Sequence, residues 1–292
     1  MAHEGFRLVG GVDASARQRD MFREITGVTA AARLGDLPLS PGDVDVCVVA
    51  TPTSVRQSVV EESLLLKPRL LLLEKPLAAT RAEAERIVAL CRTHEVPLAI
   101  NYFRRFDPVL AGLRELFSGG RHGRFVGAVC SYSGGVLNIA SHYVDMFLYW
   151  MGKPSGVRLL HDAGSVGGDP RLGFVLEYDE RRVTFVPING DSDVGEIDVF
   201  FERGRFRLEY FCENLVAYEA APDPYFAGHG RLLPVPAPVQ PDLLRYQYHV
   251  YDAIWRDLEF SAGIPSTGET ALETLACCMA VIDEAQRASR FA

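Results

Sequence analysis

The sequence lacks the features that several large classes of protein require. No apolar run approaches the roughly 20 residues that a membrane-spanning helix needs, and the chain does not open on a basic segment followed by an apolar block, which would indicate a signal peptide. The net charge is −8, so the basic face typical of nucleic-acid binders is not expected either. These absences predict a cytoplasmic protein without membrane or nucleic-acid partners.

Cysteine motifs are also missing. The six cysteines form no C-x-x-C pair and no zinc spacing, which predicts reduced thiols and no metal site. The remaining composition, 48% hydrophobic and 23% charged, is that of an ordinary globular protein. A length of 292 residues is enough for two domains.

Strands and helices alternate through the first third of the chain. The apolar runs 6–13, 45–50, 70–73 and 97–101 read as strands, and helical patterns lie between them. Near-continuous apolar strands separated by helices are typical of a parallel sheet that is covered on both faces. We therefore predict a Rossmann-type, dinucleotide-binding domain over residues 1–102 of an α/β protein.

The pattern changes after residue 102 to period-two alternation, which is typical of antiparallel strands with one buried face. Six such strands are predicted between residues 125 and 219, a helix over 140–150, and closing helices over 242–262 and 268–287. The Pro-rich stretch 222–241 is predicted to be irregular. Residues 103–292 therefore form a predicted α+β domain with a large, mainly antiparallel open sheet, suited to substrate binding and oligomerisation.

The most informative stretch of the sequence is Leu70–Leu73 followed by Glu74, Lys75 and Pro76. Four leucines predict a buried strand, and ligands of open parallel sheets bind just beyond the carboxyl ends of the strands. A lysine at that place favours a functional role, because perturbed charges cluster at sites. The alternative is an ordinary solvated strand end.

Asp13 closes the first predicted strand, where an acid can bind the adenine ribose hydroxyls and favour NAD over NADP; a helix N-cap is the equal alternative. The glycine fingerprint of a dinucleotide site should begin roughly 20 residues before this acid, but only twelve residues precede it. The first strand and the glycine loop are therefore expected to be missing. Their loss would leave a gap in the sheet beside the strand that ends at Asp13.

Two further groups could contribute to a site. His142 and Asp145 lie three residues apart on a predicted helix, and a histidine can accept the hydroxyl proton of an alcohol; a helix-start histidine bonded to the backbone is the alternative. Arg104 and Arg105, with Tyr102 packed on a sugar ring, could bind a polyhydroxy or anionic substrate. They could equally form an interdomain salt-bridge cluster.

Three motifs together resemble the Gfo/Idh/MocA oxidoreductase family, the group of glucose–fructose oxidoreductase and inositol dehydrogenase. They are Ala50-Thr-Pro-Thr53, the Glu74-Lys75-Pro76 segment, and Gly134-Gly-Val-Leu-Asn-Ile-Ala-Ser-His142-x-x-Asp145. The chain departs from the family's pattern at Asn138, where many members have aspartate, and in the missing glycine loop.

The resemblance implies roles for individual residues. Lys75 matches the catalytic lysine that polarises the reacting hydroxyl, and His142 matches the acid/base histidine. Asn138 and Asp145 are the substrate-binding partners that go with His142, and Asn138 also counts as catalytic. The residues expected at the cofactor are Asp13, Thr51, Pro52, Glu74, Lys75 and Asn101.

The predicted function is hydride transfer between NAD, or alternatively NADP, and a hydroxyl or keto carbon of a sugar, inositol or sugar derivative. The alternative is a non-catalytic sugar- or nucleotide-binding relative, regulatory or assembling, that has lost the pyrophosphate loop. In either case we expect a small carbohydrate-like ligand and a homodimer or homotetramer built through the C-terminal sheet.

Overall fold

The computed structural model describes residues 3–236 and 239–290, which group into two units. The first unit combines residues from 1–101 with 247–272, and the second combines 102–246 with 273–292. The sequence placed all residues after 102 in the second domain, whereas 247–272 return to the first unit. They do so because the edge of its sheet is completed there: the Ile100 N–H donates to the Ser266 carbonyl, and Ala99 forms an antiparallel bridge with Thr267.

The first unit contains the strand–helix alternation that the sequence predicts. Its strands are β1 (Gly11–Val12), β2 (Ala30–Ala31), β3 (Val46–Val49), β4 (Leu70–Leu73) and β5 (Leu98–Ile100). Helices α1 (Ala16–Thr26), α2 (Thr53–Leu64) and α3 (Arg81–Thr93) follow β1, β3 and β4. All strand pairs are parallel, but they form two sheets, β1-β2 and β3-β4-β5. The predicted gap in the sheet thus appears as a division into two sheets.

Local sequence signals explain the burial of strand β4 and the start of helix α3 in this unit. All four leucines of β4 are buried, as a central parallel strand requires. The N-terminus of α3 has the predicted capping box, in which the Thr80 hydroxyl accepts from the Glu83 N–H and the Glu83 carboxylate accepts from the Thr80 N–H. The strand predicted over 6–13 is shorter than expected and is limited to β1.

The second unit is built on one eight-stranded sheet. Its strands are β6 (Phe125–Tyr132), β7 (Gly156–Val166), β8 (Asp169–Tyr178), β9 (Arg181–Pro187), β10 (Gly195–Phe201), β11 (Gly204–Glu209), β12 (Asn214–Pro222) and β13 (Gly230–Val235). They lie in the order β13-β12-β11-β10-β6-β9-β8-β7. Every pair is antiparallel except β6 with β9. The predicted fold class, α/β with a large and mainly antiparallel second sheet, is confirmed.

Helices cover one face of this sheet and bury its inward residues. They are α4 (Pro108–Gly112), α5 (Ser141–Met151) and the part of α7 (Gly268–Ser289) that follows residue 272. Helix α6 (Tyr246–Phe260) belongs to the first unit from residue 247 onward. Phe174 and Phe185 stack at 4.2 Å between ring centroids. The opposite face carries ion pairs, including Arg205 with Asp198, as period-two alternation requires.

Two segments differ from the sequence analysis. The stretch 222–241 was predicted to be irregular, but β13 lies within it, and Ala237 and Pro238 lie outside the described residues. Pro234 is tolerated in β13 because this strand is at the edge of the sheet, where a missing N–H breaks no ladder. Strand β7 was not predicted, because its residues are mostly exposed and show no alternation.

Among the described residues, none of the helices combines the length and the apolar character needed to cross a bilayer.

Candidate functional site

The carboxyl ends of β3, β4 and β5 form a connected polar edge in the first unit. The Glu74 N–H donates to the Val49 carbonyl at 3.0 Å, and the Asn101 N–H donates to the Leu73 carbonyl at 2.8 Å. The Asn101 side-chain amide then donates to Glu74 Oε1 at 2.7 Å. The two polar residues that end consecutive strands are therefore held by each other as well as by the sheet.

Two oxygens at this edge are buried without a hydrogen bond to any described residue. They are the Thr51 hydroxyl, which follows β3, and the Asn101 carbonyl oxygen Oδ1, which follows β5. Buried polar atoms are almost always satisfied, and an exception indicates strain, water or a ligand. Both oxygens lie where ligands of parallel sheets bind, and both fit the hydroxyls and the amide of a nicotinamide riboside.

Arg56 connects two of the strand-end loops. It lies on α2, is 3% exposed, and donates to the Thr51 carbonyl at 2.6 Å and to the Pro76 carbonyl. Burial lowers the pKa of this guanidinium, and the negative charge of Glu74 opposes that shift. The loop after β3 and the loop that carries Lys75 are therefore fixed to the same buried cation.

Replacing Arg56 with glutamine is expected to lower the free energy of unfolding by about 2–3 kcal/mol, because two buried carbonyls lose charged donors. Urea denaturation measures this change. Arg86→Gln is the matched control, since Arg86 is exposed and its bond to Gln57 is 3.3 Å long. Equal midpoints for the two variants would contradict the role of Arg56 in holding the loops.

Lys75 follows directly on the buried strand β4. Its side chain is half-buried, and the peptide bond between Lys75 and Pro76 is cis. It thus lies at the edge where Glu74 and Asn101 meet. The structure places the predicted residues Thr51, Pro52, Glu74, Lys75 and Asn101 at the ends of adjacent strands of one sheet.

In the structure, the Asp13 carboxylate accepts a hydrogen bond from a nearby backbone N–H. It is exposed, follows β1, and one carboxylate oxygen accepts the Ser15 N–H at 2.7 Å beside the start of α1. This is an Asx turn ahead of Ser15, the residue at the N-cap of α1, and not the helix N-cap that the sequence analysis gave as the alternative. The ribose-binding role of Asp13 stays a prediction.

The residues present fit the nucleoside ends of a dinucleotide better than the pyrophosphate in its middle. A pyrophosphate needs a glycine turn that leads from a strand into a helix N-terminus. In the described part of the first unit, α1, α2 and α3 are preceded instead by Asp13-Ala-Ser15, Thr51-Pro52 and Ala79-Thr80. None of these turns contains glycine. The pyrophosphate position is thus not provided by the described residues.

In the second unit, His142 lies in the first turn of α5. The turn before it, Val136–Ala140, is a π-helix, a form that recurs at functional sites. The Asp169 carboxylate accepts the backbone N–H groups of Leu137 at 3.0 Å and Asn138 at 2.8 Å. Gly135 is required here, because a Cβ at this position would lie 2.1 Å from that carboxylate.

The His142 ring packs against two aromatic rings. Tyr102 and Phe103 meet it edge-on, at centroid distances of 5.7 and 5.3 Å. His142 is 9% exposed, whereas Asn138, four residues earlier, is exposed. Burial raises the pKa of Tyr102 well above its usual value, so this phenol stays neutral and orients the imidazole by packing.

Asp145 forms a buried ion pair with Arg105. The contacts run from Arg105 Nε to Oδ2 at 2.6 Å and from Arg105 Nη2 to Oδ1 at 2.7 Å, and the Thr274 hydroxyl donates to Oδ1 at 2.9 Å. The side chains of Arg105 and Asp145 are 3% and 1% exposed, respectively. Burial raises the pKa of the Asp145 carboxyl, while Arg105 and Thr274 oppose that rise.

Arg104 is also directed into the protein. Its guanidinium donates to the Phe211 carbonyl at 2.9 Å through Nη2 and lies over the Phe103 ring at 4.6 Å. Only 6% of the residue is exposed. It therefore holds Phe211, whose φ of 57° is unusual for a residue with a side chain.

These contacts correct four predictions of substrate binding. Tyr102, Arg104, Arg105 and Asp145 are all buried, and their polar or aromatic groups are engaged with the protein. Arg105 pairs with Asp145 of its own unit, and Arg104 binds the carbonyl of Phe211, also in the second unit. Asn138 and His142 stay candidates for substrate contact.

The sequence analysis missed several residues that organise the site, among them Arg56, Asp169 and Thr274. Arg56 resembles a surface helix residue in sequence, and the other two lie 31 and 129 positions from the atoms that they bind. Only Gly134, Gly135 and Asp145 gave a local signal. No group of three metal-ligating side chains occurs within residues 3–236 and 239–290.

Comparison with known proteins agrees with this geometry. Residues 1–102 match a family model described as the GFO_IDH_MocA oxidoreductase family with an NAD-binding Rossmann fold. This match over residues 1–102 supports the Gfo/Idh/MocA resemblance that the motifs predicted, and the family binds NAD.

Two curated relatives support the assignment. The myo-inositol dehydrogenase Hyg17 of Streptomyces leeuwenhoekii is 36% identical over 198 residues, which are 64% of this chain and 55% of the relative. The rhizopine catabolism protein MocA of Rhizobium meliloti is 26% identical over 163 residues, 49% of this chain and 51% of the relative. The chain thus spans about half the length of the curated relatives it matches.

Solved structures share the fold over nearly the whole chain. The WlbA dehydrogenase of Bordetella pertussis, in complex with NADH and UDP-GlcNAcA, has a TM-score of 0.75 and 19% identity, covering 97% of this chain and 89% of that one. The UDP-N-acetylglucosamine 3-dehydrogenase GnnA of Acidithiobacillus ferrooxidans has a TM-score of 0.74 and 17% identity, covering 94% and 88%. At these identities the likeness establishes the fold alone.

Proposed function

We propose that this protein transfers hydride between a nicotinamide cofactor and a hydroxyl or keto carbon of a polyol, sugar or sugar derivative. The observation that carries the proposal is the polar edge of the first unit. There Lys75 lies among Glu74, Asn101 and Thr51, and two buried oxygens have no hydrogen bond within the described residues. A relative that is a myo-inositol dehydrogenase supports a polyol.

Each residue has a role that follows from its chemistry. When bound, the nicotinamide accepts or donates the hydride. The Lys75 ammonium would donate a hydrogen bond to the substrate oxygen and stabilise negative charge on it as its proton leaves. The family resemblance gives the His142 imidazole of the second unit the role of taking that proton in oxidation and returning it in reduction. Thr51 and Asn101 would bind the nicotinamide riboside through the oxygens that the protein leaves unsatisfied.

The test is a substrate panel. The purified chain is incubated with NAD and, in parallel, with NADP, together with inositols, hexoses and UDP-sugars, and reduced nicotinamide is followed by absorbance. We expect oxidation of at least one polyhydroxy compound, with inositols first. If the panel yields no turnover while NADH fluorescence rises on binding, the chain binds the cofactor without catalysis.

A specific alternative is a non-catalytic sugar- or nucleotide-binding relative, for which no turnover is expected. The turns before α1, α2 and α3 favour it, since none of them provides glycines for a pyrophosphate. Assembly through the eight-stranded sheet likewise stays a proposal, supported by Val126 and Val129, which are 54% and 39% exposed on β6. The molar mass in solution tests it, and a monomer would count against it.

A further inference from the structure

The π-helical turn Val136–Ala140, which carries Asn138 and leads into α5, is capped by a residue that is distant in sequence. Neither Gly135, before the turn, nor Ala140, before α5, has a side chain that could accept a hydrogen bond. The first backbone N–H groups of a helix have no partner within the helix. A Ser, Thr, Asp or Asn at the N-cap usually provides one, so the local sequence does not supply this cap.

Asp169, the first residue of β8, provides the cap from 31 positions away. Its two oxygens are divided between two donors, because Oδ1 accepts the Leu137 N–H and Oδ2 accepts the Asn138 N–H. The carboxylate thus lies at the positive end of the helix dipole, where a negative charge is favourable. Since Oδ2 holds the backbone of Asn138 itself, a displacement of Asp169 would also move the Asn138 side chain.

Gly135 permits this close approach of the carboxylate. A Cβ at Gly135 would lie 2.1 Å from both Cγ and Oδ2 of Asp169. The φ of Gly135 is −95°, a value that any residue can adopt. The glycine is therefore explained by the space that the carboxylate needs and not by the backbone conformation.

A buried tyrosine fixes the strand that carries Asp169. The Tyr132 hydroxyl donates to the Leu172 carbonyl at 2.7 Å and accepts the Leu172 N–H at 3.1 Å. Tyr132 is fully buried, and burial raises the pKa of its phenol, so the hydroxyl keeps the proton that it donates. Strand β8 is thus held at Leu172, three residues after Asp169, although residues 166–168 at the tip of the β7–β8 hairpin are exposed.

We propose that Asp169 is a positioning residue, which directs the Asn138 amide to an oxygen of the polyhydroxy substrate by holding the backbone of the π-helical turn. This role rests on the proposed function, in which Asn138 is a candidate for substrate contact. The carboxylate binds the Asn138 N–H directly, while the Asn138 side chain is exposed. π-Helical turns recur at functional sites, and a contact that is misplaced by about 1 Å can slow a reaction strongly.

Amide hydrogen exchange tests whether the carboxylate holds the turn. Asp169→Ala removes both acceptors, so exchange at the Leu137 and Asn138 amides should become about tenfold faster or more. Asp169→Asn keeps one acceptor oxygen and should give an intermediate effect. Gly135→Ala, whose Cβ would displace the carboxylate, should reproduce the effect of Asp169→Ala. Thermal unfolding checks that each variant is folded.

Kinetics with the substrate found in the panel test whether this positioning matters to the reaction. Asp169→Ala should lower kcat/KM for that substrate by about 10- to 100-fold, with a higher KM for the substrate and an unchanged KM for NAD. A protein that is merely less folded would lose kcat and keep both KM values. Because Asp169 acts through Asn138, the double variant Asp169→Ala with Asn138→Ala should lose no more than the larger single loss.

Asp223 offers a matched control in the same unit. Its Oδ1 accepts the N–H groups of Tyr225 at 2.8 Å and Phe226 at 3.0 Å in the exposed loop between β12 and β13. Asp223→Ala therefore removes the same type of bond at a distant turn. It should leave kcat, both KM values and the exchange at Leu137 and Asn138 unchanged.

Three results would overturn the proposal. They are unchanged exchange at Leu137 and Asn138 in Asp169→Ala, equal kcat/KM for Asp169→Ala and Asp223→Ala, and additive losses in the double variant with Asn138→Ala. A wild-type protein that turns over no compound of the panel would instead reject the proposed function. The exchange measurements, which need no substrate, then decide by themselves whether Asp169 holds the turn.

Discussion

The Lys75→Ala variant is expected to turn over substrate about 10²- to 10⁴-fold more slowly than the wild type, at an unchanged fold. The magnitude is that of removing a positioned proton-transfer or charge-stabilising group from a reacting centre. Lys75 is only half-buried and follows β4 directly, so its truncation leaves the leucine strand intact. The measurement is kcat with the substrate found in the panel, together with circular dichroism and thermal unfolding.

A matched control is available in the chain. Lys153 also precedes a proline, is exposed, and lies in the second unit, so Lys153→Ala changes the same chemistry without touching the polar edge. It should retain full activity. If Lys75→Ala and Lys153→Ala have the same kcat, the lysine has no part in the reaction and the proposed mechanism is wrong.

The second large effect is expected on stability. Asp145→Ala should lower the free energy of unfolding by about 3–5 kcal/mol, because it removes the carboxylate that compensates the buried charge of Arg105. Both side chains are almost fully buried and joined by two short hydrogen bonds. Denaturant unfolding measures the change at neutral pH.

Two further variants define the cause of this loss. The double substitution Arg105→Met with Asp145→Leu should recover most of the stability, since apolar residues of similar volume often replace a buried ion pair without loss. Glu85→Ala breaks an exposed i,i+4 pair with Arg81 on α3 and should cost less than about 0.5 kcal/mol. A loss for Asp145→Ala as small as that of Glu85→Ala would contradict the internal role of the Arg105–Asp145 pair.

The extent to which the sequence predicted the site depended on how local each signal is. The leucines of β4, the capping box of α3 and the polar residues that end β4 and β5 act through neighbours a few positions away, so their placement followed from pattern. The His-x-x-Asp spacing could not reveal that Asp145 points to Arg105, 40 positions earlier. A spacing of three puts two side chains near one helix face, but the core behind that face selects which of them it binds.

The sequence by itself determined the alternation of strands and helices, the family resemblance, and the position of Lys75 after a buried strand, because apolar periodicity and turn residues act within one element. Only the tertiary structure decided that two arginines and an aspartate are internal, that Arg56 joins two loops, and that β1 and β3 belong to separate sheets. Those results depend on contacts between residues far apart in the chain, where burial and pairing, rather than local propensity, set the free energy.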